Sequence, residues 1–490
     1  MHSPRRLFLW LVILPAASAI HPAPSARVAP QLHAPKAAAG PQTVRGRVTA
    51  EGKGLAGVLV SDGCRVARTG PGGDYELATG ADSGPFIFVT TPSGYWTDAF
   101  YIRLEKAQAA GRADFVLQPV RQAERFDFVF ITDMHVGNQS ALSKCQASIR
   151  EINQLRPAPA FIWAQGDITL QGHQGKNYRQ CIEIANMPVR NGAGNHEMML
   201  SHQDPRDDFH ELFGPTYYSF DWGGVHCVVL DGNRPVPGGS EKDYRDVWGA
   251  VDGSELSWLQ ADLAAQPKGK PIIVGIHIPI VTTLPQRRGK NPRETPYWIV
   301  TNADLLTDLF ARHGVRLVLQ GHMHENERAT VKGVEYVTSI SLSGRWWRGD
   351  GAGIERGVDN SPRGYRIVSV DRGRITHRYH SSAESHVDRQ GEFFGLDNPV
   401  PAGRQVELVF NCYDAPNGST AEVRIDQQNW LPMAAFEAVS EYEGTKMPHH
   451  FRTVLRSGDL RPGRHAVEVR VKLPDGSVVS HRDSLVIVEP

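Results

Sequence analysis

Apolar residues recur along the chain with two different periods, and the changes of period divide it. Between 41 and 80 they come in short bursts, Val44 to Val48 and Val58-Leu59-Val60. The bursts are broken by Gly52-Lys53-Gly54, Asp62-Gly63 and Pro71-Gly72-Gly73-Asp74. Short strands punctuated by turn residues predict a small antiparallel β-sandwich over 41–120. From Phe126 to Ile131 the run is nearly continuous, as for a buried strand. Leu142, Cys145, Ile149, Ile152 and Leu155 then step by three and four, which predicts a helix. Phe161-Ile162-Trp163 is a second strand, Tyr178 to Ala185 a second helix, and a third strand leads to Asn195. Asp204-Pro205 predicts a helix start with Asp204 as its cap. Strands follow at Val225–Leu230, Ile272–Ile276 and Val315–Leu319. Helices capped by Ser254, and by Thr301 or Asn302, lie between them. Gly364 to Val370 and Ile375 to Tyr379 close the unit with β-structure. Strand–helix alternation over 124–380 predicts an α/β domain with ligands at the carboxyl edge of its sheet. Val406–Phe410, Ala421–Ile425 and Ala466–Val471, with turns at Asn417-Gly418 and Pro474-Asp475-Gly476, predict a second β-sandwich over 395–490.

The first residues fit neither period. Arg5 and Arg6 precede the apolar run Leu7 to Leu14, and Ala17-Ser18-Ala19 is a small-residue cleavage site. Residues 1–19 therefore read as an export signal, with an apolar run too short to span a bilayer comfortably. No membrane-spanning segment is expected after cleavage, and the mature protein is placed in the periplasm or outside the cell. Pro22, Pro24, Pro30 and Pro35 mark 20–40 as a disordered lead-in. Lys+Arg and Asp+Glu are both 53, so net charge offers no general attraction to nucleic acid or membrane surface. Of the five cysteines, Cys145 and Cys181 fall on helices expected to be neighbours and make the best pair. Buried free thiols, with Cys64, Cys227 and Cys412, are the default reading.

Chemistry-bearing residues collect just past the predicted strands. Asp133 and His135, Asp167 after Gly166, Asn195-His196-Glu197 after Gly194, His277, and His322 and His324 after Gly321 stand at five strand exits. On extended backbone a two-residue spacing puts both side chains on one side, so Asp133/His135 and His322/His324 can each face a common site. Two carboxylates, an amide and four imidazoles without a thiolate suit zinc, iron or manganese. Seven ligands exceed one tetrahedral ion and suit two ions if one carboxylate bridges.

In this order the motifs Asp133-x-His135, Gly166-Asp167, Gly194-Asn195-His196-Glu197, His277 and Gly321-His322-x-His324 resemble the calcineurin-like metallophosphoesterase superfamily over about 124–380. Tyr217-Tyr218-Ser219-Phe220, Gly223-Gly224-Val225-His226, Leu230-Asp231 and Trp258-Leu259 resemble its secreted and class III cyclic-nucleotide phosphodiesterase branch. Ser343 to Gly349, Gly364-Tyr365 and the two β-domains resemble a bacterial three-domain subgroup. The first β-domain also resembles a carboxypeptidase-regulatory-like sandwich. The resemblance implies a four-layer α/β/β/α sandwich and two metal ions (Mn, Fe or Zn). Asp133, His135, Asp167 and His324 would hold one ion, and Asp167, Asn195, His277 and His322 the other. His196 would assist the leaving oxygen while a metal-bridging hydroxide attacks phosphorus. Arg190-Asn191-Gly192-Ala193 is more polar than the strand end usual in that family.

The expected activity is hydrolysis of a phosphodiester substrate, with a phosphomonoesterase as the alternative. A surface-binding module with a vestigial core is a further alternative, against which the complete ligand set argues. His173, Arg345 and Trp347 are candidate substrate contacts, with domain packing the competing role for the tryptophan. His226 is expected to be packed, and His449-His450 to be a solvated pair.

Overall fold

The computed structural model describes residues 42–169, 171, 174–239, 243–349, 354–382, 389–396, 398–440, 444–457 and 460–489. The expected export signal, the lead-in and His173 lie outside these residues.

The central domain is built on two mixed sheets. The first has the strand order Val189–Gly192, Ile162–Gln165, Arg125–Ile131, Gly364–Asp371, Arg374–Ser381. Its first three strands are parallel and the last two antiparallel. The second runs Tyr218–Trp222, Val225–Val229, Ile272–Gly275, Val315–Gln320, Val334–Thr338, Glu327–Val331, with four parallel strands at its centre. The period-2 alternation of a strand decides the layering. Phe128, Phe130, Phe161 and Trp163 share a core with Phe220, Cys227 and Ile273 of the second sheet. Their neighbours Val129, Ile131, Ile162 and Ala164 turn the other way, onto Leu142, Cys145, Ile149 and Tyr178 of helices Gln139–Ile152 and Gly175–Ile182. Helices Gly253–Ala264 and Ala303–His313 cover the second sheet through Trp258, Leu259, Leu306 and Phe310. The result is the four-layer α/β/β/α sandwich.

Two expected caps are corrected. The helix expected at Asp204 begins at Asp207, because the Asp204 side chain accepts from the Arg206 N–H and closes a turn first. Ser254 lies inside its helix, and its hydroxyl donates to the carbonyl of Asp82 in the N-terminal domain instead. Cys145 and Cys181 form a disulfide between the first two helices, which replaces the default of free thiols for this pair. Cys64, Cys227 and Cys412 are free.

The N-terminal region is β-rich, with strand Gln42–Ala50 pairing Asp74–Thr79 and Phe115–Pro119 in one sheet, and Leu59–Ser61 and Phe86–Val89 in another. It also carries a helix, Leu104–Ala110, that the turn-rich pattern did not announce. This domain explains the polar strand end at Arg190. The Arg190 guanidinium is buried against Trp96, Phe100 and Phe220, 3.7 Å from the Trp96 centroid, and donates to the Thr97 carbonyl. The strand that ends before Asn195 is thus fastened to the N-terminal domain by a cation held between aromatic faces.

The C-terminal region is a β-sandwich of eight strands around Leu408, Phe410, Val423, Val467 and Leu485. His449 and His450 are not solvated: the His449 side chain is 1% exposed and faces Asp359 of the central domain, and His450 is buried beside Phe394 and Phe436. Among the described residues no helix is long and apolar enough to cross a membrane.

His226 is packed, and charged. Its two nitrogens lie 2.7 Å from Asp221 and 2.7 Å from Asp262, and Lys270 pairs with the other Asp221 oxygen. Burial pushes the imidazole pKa down, but the Asp262 and Asp221 carboxylates outweigh it and hold the value at about 9. A raised folded-state pKa contributes stability in full below the ordinary histidine value near 6.5, and that contribution disappears as pH rises through about 9. The urea midpoint of the wild type should therefore fall between these values, and the fall should flatten in His226→Gln. An equal slope in both proteins would contradict a charged His226.

Candidate metal centre

The carboxyl ends of five strands converge on one cleft. Asp133 and His135 follow Arg125–Ile131, Asp167 follows Ile162–Gln165, and Asn195 follows Val189–Gly192. His277 follows Ile272–Gly275, and His322 and His324 follow Val315–Gln320. The backbone departs from strand geometry to aim them. Asp133, His135, Asp167, His322 and His324 all have positive φ, between 45° and 72°. Left-handed backbone is costly for residues with a Cβ and persists where the surroundings force it. The flanking glycines serve the same crowding. A Cβ on Gly166 would sit 2.3 Å from the His277 ring, and one on Gly321 only 2.0 Å from the Thr132 hydroxyl.

Ligand-type atoms fall into two adjoining groups. Asp133, His135 and His324 converge within 4.8 Å of one another, and so do Asp167, His277 and His322. A third grouping, His135, Asp167 and His196, bridges them. Asn195 stands buried at the start of a tight turn, Asn195–Glu197, with its Oδ1 lacking a hydrogen-bond partner. The structure therefore brings six of the seven expected ligands into two groups with His196 beside them, and Asn195 directly precedes His196.

Hydrogen bonds fix which nitrogens face the cleft. His324 Nδ1 lies 2.5 Å from the Gly344 carbonyl, so its Nε2 carries the lone pair, 3.0 Å from His135 Nε2. His322 Nε2 donates to the Tyr297 carbonyl at 2.8 Å, which leaves Nδ1 free of its proton. Glu197 carries no ligand role. Its carboxyl accepts from the Thr169 N–H and hydroxyl and from the Gly194 N–H, and so shapes the turn that presents Asn195 and His196. Burial, with Asp167 beside it, raises its pKa to about 7.

The electrostatics suit cations. Burial disfavours ionisation of Asp133 and Asp167, yet the histidines around them outweigh it and hold both below the usual carboxylate range. Burial, with His277 nearby, lowers His322 to about 4, and burial takes His135 well below its ordinary value. These imidazoles are neutral, as a metal ligand must be. Burial opposes protonation of His277 too, but Asp167 and Asp133 raise it to about 9, so a proton there stands where an ion would displace it. Asn195 Oδ1 is buried without a hydrogen-bond partner, while Asp133 Oδ1 lies 3.2 Å from His324 Nε2 and His277 Nε2 3.1 Å from Asp167 Oδ1. Ligand-type oxygen and nitrogen atoms crowded at this spacing fit a pair of transition metal ions.

The substrate-contact candidates separate. Trp346, not Trp347, faces the cluster: its ring centroid lies 4.8 Å from that of His324 and 6.1 Å from that of His135. Trp347 is a packing residue, its indole N–H donating to the Met134 carbonyl and the Arg363 guanidinium lying over its ring. Adjacent tryptophans gave the sequence no means of separating these roles, since the positive φ at both positions turns them apart. Arg345 is half-buried, its backbone N–H bonded to the Arg356 carbonyl. The carbonyls of Tyr297 and Gly344 left no trace in the sequence, because any residue supplies a carbonyl.

Comparisons with known proteins agree with this geometry. Residues 126–326 match the family profile of calcineurin-like phosphoesterases, 42–120 that of the N-terminal domain of calcineurin-like phosphoesterase, and 335–447 that of its C-terminal domain. Serine/threonine-protein phosphatase CPPED1 of Danio rerio is 27% identical over 250 residues, 48% of this chain and 72% of the relative. Purple acid phosphatase 21 of Arabidopsis thaliana is 24% identical over 262 residues, 53% of this chain and 51% of its own. The purple acid phosphatase PPD1 of Lupinus luteus superposes with a TM-score of 0.39 at 14% identity, covering 71% of this chain and 68% of that one.

Removing the ions should expose the like-charge and desolvation costs of the cleft. Protein stripped with a chelator should melt at lower temperature than metal-loaded protein, and added Mn2+ or Zn2+ should restore the transition. A melting temperature indifferent to both treatments would contradict a metal centre at these residues.

Proposed function

We propose, on the premise that the chain carries a calcineurin-like phosphoesterase domain between its N- and C-terminal companions, that it is an exported dimetal phosphoesterase acting on phosphodiesters. The observation that carries the reading is the adjacency of the Asp133/His135/His324 and Asp167/His277/His322 groups, with His196 at their rim. Ions bound there supply water activation and positive charge against the phosphoryl oxygens. The chain's own residues do the rest. His196 is half-buried, its side chain 28% accessible, with Nε2 3.8 Å from Asp167 Oδ2. That position lets it reach a substrate that the buried ligands cannot, and move a proton to the leaving oxygen. Its backbone N–H donates to Asp167 Oδ1, which ties its placement to the ligand between the two groups. The half-buried Trp346 ring offers an apolar wall for one of the two organic groups of a diester.

A second reading, hydrolysis of monoesters, is favoured by the phosphatase names of the relatives. Bis-p-nitrophenyl phosphate and p-nitrophenyl phosphate separate the two: faster diester turnover is expected, and faster monoester turnover moves the assignment to a phosphatase. His196→Ala should retain its metals and lose about 100-fold or more in kcat. Unchanged turnover removes His196 from the mechanism.

Export is supported by the 1–19 pattern and by the Cys145–Cys181 disulfide, which suits an oxidising compartment. The mature protein should begin at Ile20 by intact mass. A full-length protein with reduced thiols in the cytoplasm would contradict export.

A further inference from the structure

The loop that carries His322 and His324 continues directly into Glu325, Asn326 and Glu327, and all three are buried. Their partners lead out of the central domain. Arg287 pairs with Glu325 and donates a second hydrogen bond to the Lys446 carbonyl of the C-terminal sandwich. The Asn326 N–H donates to Asp359 Oδ2 at 2.9 Å, and the same oxygen faces His449 Nε2 at 3.1 Å. His449 Nδ1 lies 2.8 Å from Asn411 Oδ1, and the Asn411 amide donates back to the Asp359 carbonyl. Val358, next to Asp359, donates its N–H to the carbonyl of His324 itself at 2.8 Å. The Asn326 side chain accepts from Arg366, which grips Asp414 of the C-terminal sandwich through two 2.8 Å bonds. His449 holds this place with a φ of +55°, a conformation that a residue with a Cβ adopts only under constraint.

Resting on the dimetal reading above, we propose that His449 is a positioning residue: through Asp359 it holds the His324 loop, so the C-terminal sandwich sets the affinity of the Asp133/His135/His324 ion site. Glycine-free, with left-handed backbone at His322 and His324, the 322–324 turn has no helix or ladder of its own to fix it. Its geometry is imposed from both sides. One side is the Gly344 carbonyl on the His324 ring, and the other is the Asp359–His449 bridge behind the next two residues. Loss of that bridge leaves Asp359 with its Ser361 and Asn326 bonds but a gap where His449 stood, so the carboxylate can turn and the segment behind His324 can relax, which moves His324 away from its companions. In the other group Asp167 and His277 follow strands of the first and second sheets, and His322 has anchors of its own, its N–H on Asp133 Oδ2 and its Nε2 on the Tyr297 carbonyl, so that site is not coupled to the bridge.

The test is Co2+ titration of chelator-stripped full-length protein, followed by visible absorbance and elemental analysis. Wild type is expected to take about two ions per chain. His449→Ala is expected to weaken one of the two binding steps by about tenfold or more and leave the other in place. His449→Gln, long enough to return an N–H to the Nε2 position, is expected to recover both steps, and His449→Asn, too short, is not. Loss confined to one step is a readout that general destabilisation does not produce. Where His449→Ala yields no folded protein, the Gln and Asn variants are compared directly. Equal binding by those two, or two wild-type steps in His449→Ala, overturns the proposal alone. Failure of the wild type to take two ions overturns the reading beneath it.

Discussion

Two carboxylates and four imidazoles buried in one cleft cannot stay there without a substitute for water. Taking an ionised group out of water costs several kcal/mol even after relaxation, on the order of magnitude known for buried charges, and a hydrogen-bonded partner or a cation must offset it. Here hydrogen bonds serve the far side of two of the rings, at Gly344 for His324 and at Tyr297 for His322. The near sides are left facing one another. That arrangement fits cations between them, and much of the surrounding backbone follows from it. The left-handed backbone at five ligands and the glycines that let rings and carboxylates approach are consequences of packing so many donors at one edge.

The same constraint explains why the domains are not independent. The α/β/β/α sandwich delivers its ligands on loops, and loops need outside support to hold a metal geometry. Arg190 ties the strand before Asn195 to an aromatic cage that includes Trp96 and Phe100. Asp359, His449, Arg366 and Asp414 tie the His324 loop to the C-terminal sandwich. Cys145 and Cys181 join the two helices on the outer face of the first sheet. Each companion domain therefore meets the sheet edge through a buried charged group rather than through apolar area alone.

Much of this was legible in the sequence. Apolar runs ending in Asp, Asn or His located the strand exits, because a buried strand must be apolar and its exit is where a ligand can stand. Two-residue spacings placed Asp133 with His135 and His322 with His324. What escaped was whatever depends on contacts distant in sequence. The short strands Glu327–Val331 and Val334–Thr338 carry too few apolar positions to show a period. Histidines 449 and 450 looked solvated because the carboxylate that holds one of them lies 90 residues away. Arg190 looked like a polar defect for the same reason, and the choice between Trp346 and Trp347 turned on backbone φ, which no side-chain pattern reveals.

The central claim is that two ions lie between the two ligand groups. Anomalous diffraction from crystals of metal-loaded protein, collected at the absorption edges of manganese, iron and zinc, tests it most directly. The account predicts two peaks, one among Asp133, His135 and His324 and one among Asp167, His277 and His322, with Asp167 between them. A cleft without anomalous signal, or a single peak outside both groups, would contradict it.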